Sequence, residues 1–321
     1  MPRYIRFLRS RNMVTSDAHK RDGAKVPTPA GPILFAALIV GELAVYAFYQ
    51  TPVPLVLVGV TLIAGIIGLV DDLHGLGGKT KPALLLLAAG PILLGVRAYP
   101  SLFSPQLYFP IFGATGTHMI IYSIFILAAM PVLSNAFNMM DVFNGEISGF
   151  SALTSGALVV GVLLRAYALH DYSVERIAIA MPLLAVGLSF HLFNRHPSKI
   201  FDGDSGSLAL GATYGAVAIL SGVEFAALVA VIPAILNSFY ILASVRNLIE
   251  RRQMKARPTY VGEDGKLYAN DHEGAPTTLA RMILFDGPLG EKEIVRKIYW
   301  LTFFACFLSV VTSVLTWVVQ A

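Results

Sequence analysis

Nine long runs of apolar residues constrain this 321-residue chain more than any other feature of its sequence. Each run except the short one at 82–96 is close to the roughly 20 residues that an α-helix needs to cross the hydrocarbon of a bilayer. Because lipid offers no partner for unpaired backbone groups, we expect every run to be helical. The predicted spans are residues 30–50, 52–70, 82–96, 118–137, 147–164, 177–193, 205–222, 225–245 and 298–319.

The composition agrees with a protein that lies in a membrane. Hydrophobic residues make up 55% of the chain and charged residues only 14%, whereas soluble domains carry about 25% charged residues. The sequence therefore predicts an all-α polytopic integral membrane protein, organised as one transmembrane domain over residues 1–321. The single cysteine, Cys306, excludes an intrachain disulfide and a multi-cysteine metal site.

The basic residues predict the orientation of the spans. All but three of the 24 Lys and Arg residues fall in loops on the side of the N-terminus, and the exceptions are Arg97, Arg165 and Arg176. Since cytoplasmic loops are enriched in Lys and Arg, we expect these loops to be cytoplasmic. The spread of basic charge favours contact with anionic lipid over nucleic-acid binding.

The largest of these loops covers residues 246–297. It contains RPTYVGEDGKLYAN, in which two short strand-like segments flank residues 263–265. An Asp-Gly pair between such segments predicts a β-hairpin.

The first of several polar clusters lies at the predicted cytoplasmic ends of two helices. Asp71 and Asp72 end one span, and Lys79 and Lys81 begin the next. Adjacent carboxylates repel each other unless a cation or a lysine compensates their charge. The cluster is therefore a candidate site for a charged ligand, although a solvated helix end with lysines that reach to the membrane surface explains the same residues.

The second cluster lies in SNAFNMMDVFNGEISG. Asn135 and Asn138 are three residues apart, so they face one side of a helix end, and Asp141 and Asn144 follow. Amide and carboxylate oxygens are hard ligands, suited to Mg²⁺ that shares its coordination shell with phosphate. Capping of the helix C-terminus explains one asparagine but not all four polar side chains.

The third cluster, in FDGDSG, precedes a predicted span. Asp202 and Asp204 flank a glycine there, and the N-terminus of the following helix can accept an anion. Asp204 acting only as an N-cap is the alternative. A basic stretch within residues 246–297 supplies further phosphate ligands, although retention of positive charge on the cytoplasmic side also explains it. Its members are Arg251, Arg252, Lys255 and Arg257.

The order of these motifs resembles that of the polyprenyl-phosphate sugar-1-phosphate transferases. Members of that superfamily have a DD pair with a lysine ten residues after the first Asp, an NAxN motif followed by a polar residue and an Asn/Asp-Gly pair, and an aromatic residue before a Gly-Asp pair. The matching residues are Asp71, Asp72 and Lys81, then Asn135, Asn138, Asp141, Asn144 and Gly145, and finally Phe201, Gly203 and Asp204.

The large loop resembles that of the archaeal and eukaryotic branch of this superfamily. An Arg-x-Arg pair precedes a short hairpin in that branch, and here the pair is Lys255 and Arg257, one residue closer to the hairpin. Bacterial branches carry a histidine-rich motif in this loop, where this chain has His272. Family members have ten spans, whereas nine are predicted here. The resemblance therefore implies the family's arrangement of helices without its first helix.

The resemblance implies a reaction and a site. The reaction is transfer of N-acetylglucosamine 1-phosphate from UDP-N-acetylglucosamine to dolichyl phosphate in the cell membrane, with release of UMP, as the first step of glycan assembly. It implies Mg²⁺ or Mn²⁺, an active site on the cytoplasmic face and a homodimer. The implied catalytic residues are Asp71, Asp72 and Lys81, the metal ligands are Asp204 and Asn138, and the substrate-binding residues are Asn135, Asp141, Asn144, Phe201, Lys255 and Arg257.

Three other functions are compatible with parts of the sequence. The enzyme could use another UDP-sugar or a bacterial undecaprenyl carrier. A transporter is a different class; transporters carry ionisable groups near the middle of the bilayer, and Glu42 is the candidate here. A structural membrane scaffold leaves the Asp and Asn clusters without a role.

Overall fold

A computed structural model describes residues 1–21, 23–99, 106–114, 118–171, 174–246, 254 and 256–318. Helices make up most of the described chain, and three two-stranded antiparallel sheets lie in its loops. The helices are α1 (Pro2–Ser10), α2 (Gly31–Tyr49), α3 (Val53–His74), α4 (Thr80–Ala98), α5 (Met119–Met140), α6 (Glu146–Ala168), α7 (Val174–Asn194), α8 (Asp204–Ser221), α9 (Glu224–Ala230), α10 (Ile232–Val245), α11 (Leu279–Ile283) and α12 (Glu291–Val318). The strands are β1 (Val14–Ser16), β2 (Lys25–Pro27), β3 (Tyr108–Phe109), β4 (Gly113–Ala114), β5 (Thr259–Val261) and β6 (Leu267–Ala269).

Seven of the nine predicted spans are confirmed as helices that are long and apolar enough to cross a membrane, namely α2 to α7 and α12. The predicted span at 82–96 is short in the sequence, but it lies within α4, which extends to 19 residues. The protein is therefore an all-α polytopic membrane protein, as predicted.

The predicted span 225–245 is two helices rather than one. α9 and α10 meet at an angle of 65°. Pro233 lies in the first turn of α10, where its ring and its missing N–H prevent a continuous helix from α9. The length of an apolar run predicts that it can cross the bilayer, but it does not predict this bend.

The predicted span 205–222 is α8, which is less apolar than the seven other spans because it is rich in Gly, Ser and Ala. Every residue from Ser205 to Ser221 is buried, and α8 packs against α2, α3 and α5. Small residues and hydroxyl groups suit a helix that faces other helices rather than lipid. A buried hydrogen bond of 2.7 Å between the Thr61 and Thr213 hydroxyls joins α3 to α8.

The end of the bundle at which α3 ends and α8 begins carries the described residues of segments 1–30, 75–79, 141–145, 195–203 and 246–290, and we call it the basic end. The predicted hairpin is confirmed there, because β5 pairs with β6 and Tyr260 lies opposite Tyr268. Backbone hydrogen bonds join Leu267 to Leu289, just before α12. Arg21 also donates a hydrogen bond to the Glu263 carbonyl, so the N-terminal loop contacts the hairpin.

Candidate functional site

The N-terminus of α8 is capped by a side chain from another helix. Asp72, in the last turn of α3, accepts hydrogen bonds from the Asp204 N–H (2.8 Å), the Ser205 N–H (3.0 Å) and the Ser205 hydroxyl (2.5 Å). The first N–H groups of a helix lack partners within the helix, and a carboxylate there also stabilises the helix dipole. Asp204 is the first helical residue of α8, so the alternative in which Asp204 is its N-cap is wrong.

Two glycines allow α3 to approach the start of α8. Gly203 has a φ of 71°, and a Cβ there would lie 2.8 Å from an Asp72 carboxylate oxygen. Gly68 lies one turn before Asp72 on α3. A Cβ at residue 68 would lie 2.5 Å from the Asp204 carbonyl oxygen. The absence of side chains at these two positions therefore sets the distance between Asp72 and the helix that it caps.

Lys81 joins the first and third polar clusters. Its Nζ lies 2.6 Å from an Asp71 carboxylate oxygen and forms a second ion pair with Asp204. The side chains of Lys81 and Asp71 are 6% and 4% exposed, whereas that of Asp204 is 30% exposed. Lys81 thus lies between two carboxylates instead of reaching to the membrane surface. Because one ammonium faces two carboxylates, the group is net negative, and Asp204 is its accessible member.

The two asparagines of the second cluster have different surroundings. Asn138 lies within hydrogen-bonding reach of the Asp204 carboxylate, and its amide nitrogen donates to the Ser207 hydroxyl at 2.9 Å. Asn135 instead donates its amide to the Pro131 carbonyl at 2.7 Å, one turn back on α5. The end of α5 therefore brings Asn138 to the ion pairs and turns the Asn135 amide nitrogen toward its own helix.

A second pair of carboxyl groups lies next to this site. Asp202 is fully buried, and its carboxyl group contacts that of Asp141 at the end of α5. Burial, and then the neighbouring Asp141 carboxyl, raise the pKa of Asp202 well above its usual range. The two groups therefore favour sharing a proton. Asp202 belongs to the third polar cluster but not to the implied site residues, since the D-G-D pattern does not indicate which carboxyl turns inward.

Asn144 lies in a separate buried network. Its amide nitrogen donates to Asp17 (3.0 Å) and Glu291 (2.6 Å), its backbone N–H donates to Glu291 (2.8 Å), and its Oδ1 accepts from the Ser198 N–H (2.8 Å). Direct substrate binding by Asn144, which the resemblance implies, does not fit this geometry, because the residue is 2% exposed and both ends of its amide are engaged. Asp17 and Glu291 were not among the predicted site residues, because their only signal in the sequence is a position beside a turn or a helix start.

The remaining predicted site residues are less closely associated. Phe201 is half-buried three residues before Asp204, and its N–H donates to the Pro27 carbonyl at 2.9 Å. Arg257 is exposed at the base of the hairpin, where its carbonyl accepts from the Asn270 amide at 2.9 Å. Lys255, with Arg251 and Arg252, lies outside the described residues.

The donor set limits the kind of metal that this site can hold. Within the part of the chain that the structure describes, no three His, Cys, Asp or Glu side chains converge on a metal position. Mg²⁺ often takes only one or two protein oxygens and keeps the rest of its shell for water and phosphate. The accessible Asp204 carboxylate beside the Asn138 amide fits that pattern.

The sequence is similar to several known proteins. Residues 54–222 match the family described as glycosyl transferase family 4. A Methanocaldococcus jannaschii protein provisionally named a glycosyltransferase is 28% identical over 303 residues, which cover 93% of this chain and 87% of that protein. A phospho-N-acetylmuramoyl-pentapeptide-transferase of Shouchella clausii is 31% identical over 242 residues, which cover 70% of this chain and 71% of that protein.

A further archaeal relative matches nearly the whole chain. It is a Saccharolobus solfataricus protein provisionally named a UDP-N-acetylglucosamine–dolichyl-phosphate N-acetylglucosaminephosphotransferase. It is 25% identical over 319 residues, which cover 98% of this chain and 92% of that protein.

Proposed function

The chain belongs to glycosyl transferase family 4, the polyprenyl-phosphate hexosamine-1-phosphate transferases, and from this premise we propose that it transfers N-acetylglucosamine 1-phosphate from UDP-N-acetylglucosamine to dolichyl phosphate. Membership of this family shows that the protein is a membrane enzyme that transfers a sugar phosphate to a polyprenyl phosphate. Our proposal specifies in addition the sugar, the nucleotide and the lipid. It also places the active site on the cytoplasmic face, and the positive charge of the basic end supports that location.

One observation carries the proposal: Lys81 lies between Asp71 and Asp204, and Asp204 is the first residue of the helix that Asp72 caps. The reaction joins two anions, so it needs positive charge between them and a fixed alignment of the reacting groups. Lys81 supplies part of this charge, and a divalent ion held by the net negative group would supply the rest. The cap by Asp72 supplies the alignment, because it fixes Asp204 relative to α3. Asp72 is therefore proposed as a positioning residue and Lys81 as a phosphate ligand.

In the proposed reaction an oxygen of the lipid phosphate attacks the phosphorus next to the sugar. The new P–O bond forms as the bond from that phosphorus to the bridging oxygen breaks, and the bridging oxygen and its electron pair leave with UMP. A phosphate monoester has a second pKa of about 6, so much of the acceptor is already dianionic at neutral pH. A strong base is therefore not required. Asp71 is proposed to hold Lys81 in place and to orient the acceptor.

Asp204 and Asn138 are the residues that would hold Mg²⁺. When bound, the ion would neutralise charge on the diphosphate and on the leaving UMP. The remaining contacts are proposed from the motifs: Phe201 for the uracil, Arg257 and Lys255 for the sugar or diphosphate, and Asn135 and Asp141 at the edge of the pocket. Asn144 is proposed to position the loops around the site from its buried network.

The archaeal relatives favour UDP-N-acetylglucosamine and dolichyl phosphate. The relative with that name in Saccharolobus solfataricus aligns with 98% of this chain, and the hairpin of the large loop lies within the aligned length. A bacterial-type reaction, with an undecaprenyl acceptor and a muramoyl-pentapeptide donor, is the second candidate. The relative with 31% identity over 242 residues favours it. Family membership removes a transporter or a scaffold from consideration.

A lipid-extraction assay separates these candidates. Purified full-length protein is incubated with Mg²⁺, radiolabelled UDP-N-acetylglucosamine and either dolichyl or undecaprenyl phosphate, and in parallel with UDP-N-acetylmuramoyl-pentapeptide. We expect label in the lipid phase from UDP-N-acetylglucosamine with dolichyl phosphate, and an equal amount of UMP. Transfer from the muramoyl donor alone would contradict the proposal and support the second candidate.

A further inference from the structure

The N-terminal helix α1 is anchored to the basic end of the bundle through one of its faces. Leu8 is fully buried in a cluster with Ala30, Leu34, Phe190 and Ile200, to which Tyr4 and Ile5 add their side chains. The Tyr4 hydroxyl also donates a hydrogen bond of 3.0 Å to the Pro29 carbonyl. α1 is therefore held where α2 begins and α7 ends. Since both helices are long and apolar enough to cross a membrane, we expect their ends to lie near its surface.

The other face of α1 is basic, and no described acidic residue forms an ion pair with it. Arg3, Arg6 and Arg9 are exposed, and the structure records no ion pair between them and any described residue. Phe7 is 48% exposed on the same helix, and the Arg11 guanidinium lies 5.7 Å from its ring centre. Four arginines with an exposed aromatic ring, within eleven residues and at the end of a transmembrane bundle, are typical of a helix that lies in a headgroup layer.

We propose that α1 is an interfacial helix whose arginines bind the headgroup phosphates of anionic phospholipids in the adjacent leaflet. Arginine binds phosphate through paired N–H groups, and each basic residue near an anionic surface strengthens binding about fivefold. Phe7 supplies an apolar contact beside the charges. These arginines are not among the residues of the proposed catalytic site, and no described carboxylate forms an ion pair with them. An anionic lipid surface matches their charge, spacing and depth.

A chain of contacts links α1 to the catalytic site. The Tyr4 hydroxyl donates a hydrogen bond to the Pro29 carbonyl. Pro29 in turn lies against Gly203, next to the carboxylate of Asp72. An α1 helix fixed at the headgroups would therefore steady the residues that support the start of α8. This consequence rests on the proposed function, whereas lipid binding by α1 does not.

The test places a fluorophore on α1 of the full-length protein. Ser10 is exposed, and the only cysteine, Cys306, is buried, so Ser10→Cys in a Cys306→Ser background takes one polarity-sensitive label. The labelled protein is placed in nanodiscs of phosphatidylcholine alone or with phosphatidylglycerol. We expect a larger blue shift of the emission, and stronger quenching by lipid-attached quenchers, in the anionic discs than in the neutral discs, and a smaller difference at high salt.

Two charge variants make the test specific. The variant with Arg3→Gln, Arg6→Gln and Arg9→Gln should lose the blue shift. A control with Lys25→Gln, Lys199→Gln and Lys266→Gln, which removes the same charge from exposed sites elsewhere at the basic end, should keep it. The proposal fails if emission is the same in neutral and anionic discs, or if the control variant loses the shift equally. A shift that appears only after polyprenyl phosphate is added would assign α1 to the acceptor and also overturn it.

Discussion

At the scale of single residues, the site depends on neighbours that turn in different directions. Asp71 and Asp72 are adjacent in the sequence, yet Asp71 pairs with Lys81 and Asp72 caps α8. Successive side chains on a helix are about 100° apart, so one pair of carboxylates can serve two partners. The motif predicted that both would matter. It could not predict which faces the lysine, because that depends on where α8 and α4 lie.

Asp204 is the residue whose replacement tests the site most directly. Asp204→Asn keeps the size of the side chain but removes the accessible negative charge, so we expect turnover to fall by at least about a hundredfold. UMP release with dolichyl phosphate measures it. Asp271→Asn, at an exposed position in the large loop, is the matched control and should keep its activity. Normal turnover in Asp204→Asn with an unchanged melting temperature would remove Asp204 from the metal site.

At the scale of helices, the contact between α3 and α8 determines the geometry of the site. Apolar length predicted most of the spans, since the bilayer sets the length of a crossing helix. It did not predict that α8 is enclosed by other helices or that α9 and α10 meet at 65°. The burial of α8 depends on how its Gly, Ser and Ala residues pack against α2, α3 and α5. The sequence of one apolar run does not specify which helices will be its neighbours.

Gly68→Ala tests the close approach of these two helices. The new methyl group would lie 2.5 Å from backbone atoms of Asp204 and Ser205, which cannot move without shifting α8. We expect a loss of about 1–3 kcal/mol in stability and a lower kcat. Gly90→Ala is the matched control, because a Cβ there meets no atom within 4 Å. Thermal unfolding in detergent and UMP release are measured for both. Equal effects of the two substitutions would contradict the packing argument.

Asp72→Ala tests the cap that α3 places on α8. Loss of the three hydrogen bonds should lower stability by about 1 kcal/mol and displace Asp204, so kcat should fall. Asp72→Asn retains an acceptor oxygen and should recover part of the stability. A variant with full kcat and a lower melting temperature would show that Asp72 caps the helix without positioning the site.

At the scale of the whole molecule, residues far apart in the sequence close the basic end around the site. Asn144 joins the N-terminal loop at Asp17, the loop before α8 at Ser198 and the start of α12 at Glu291. The sequence predicted that the polar clusters share one side of the membrane, because loop charge indicates topology. It did not separate Asn138 at the ion pairs from Asn144 in the buried network, since a motif gives spacing along the chain and not the direction of each side chain.

Asn144→Ala should weaken the contacts between these segments, and the resulting loss of stability should depend on pH. Burial raises the pKa of Asp17, but hydrogen bonds from Asn144, His19 and Lys20 outweigh it and lower that pKa below its usual value. Asp17 therefore stabilises the fold at neutral pH, and this contribution is lost as the pH falls through its titration range. We expect Asn144→Ala to be less stable than the wild type by about 1–3 kcal/mol at neutral pH, with a smaller difference in acid.

Thermal unfolding of both proteins at several pH values measures this difference. Asn144→Asp is the informative second variant, because it keeps the shape of the side chain but places a third carboxyl beside Asp17 and Glu291. It should be least stable at neutral pH and gain on the wild type as the pH falls. A gap between wild type and Asn144→Ala that stays constant with pH would contradict the coupling to Asp17.

The positions of Gly68 and Asp72 on α3 have a consequence for how this protein can vary. They are one helical turn apart, so both face α8. Gly68 leaves room for the backbone of α8, and Asp72 caps its N-terminus. Substitutions at exposed positions of α3, such as Leu62 and Ile66, change its outer surface and leave this register intact. Inserting or deleting a single residue between them would rotate the carboxylate by about 100° away from α8. We therefore expect this stretch to tolerate changes of side chain far better than changes of length.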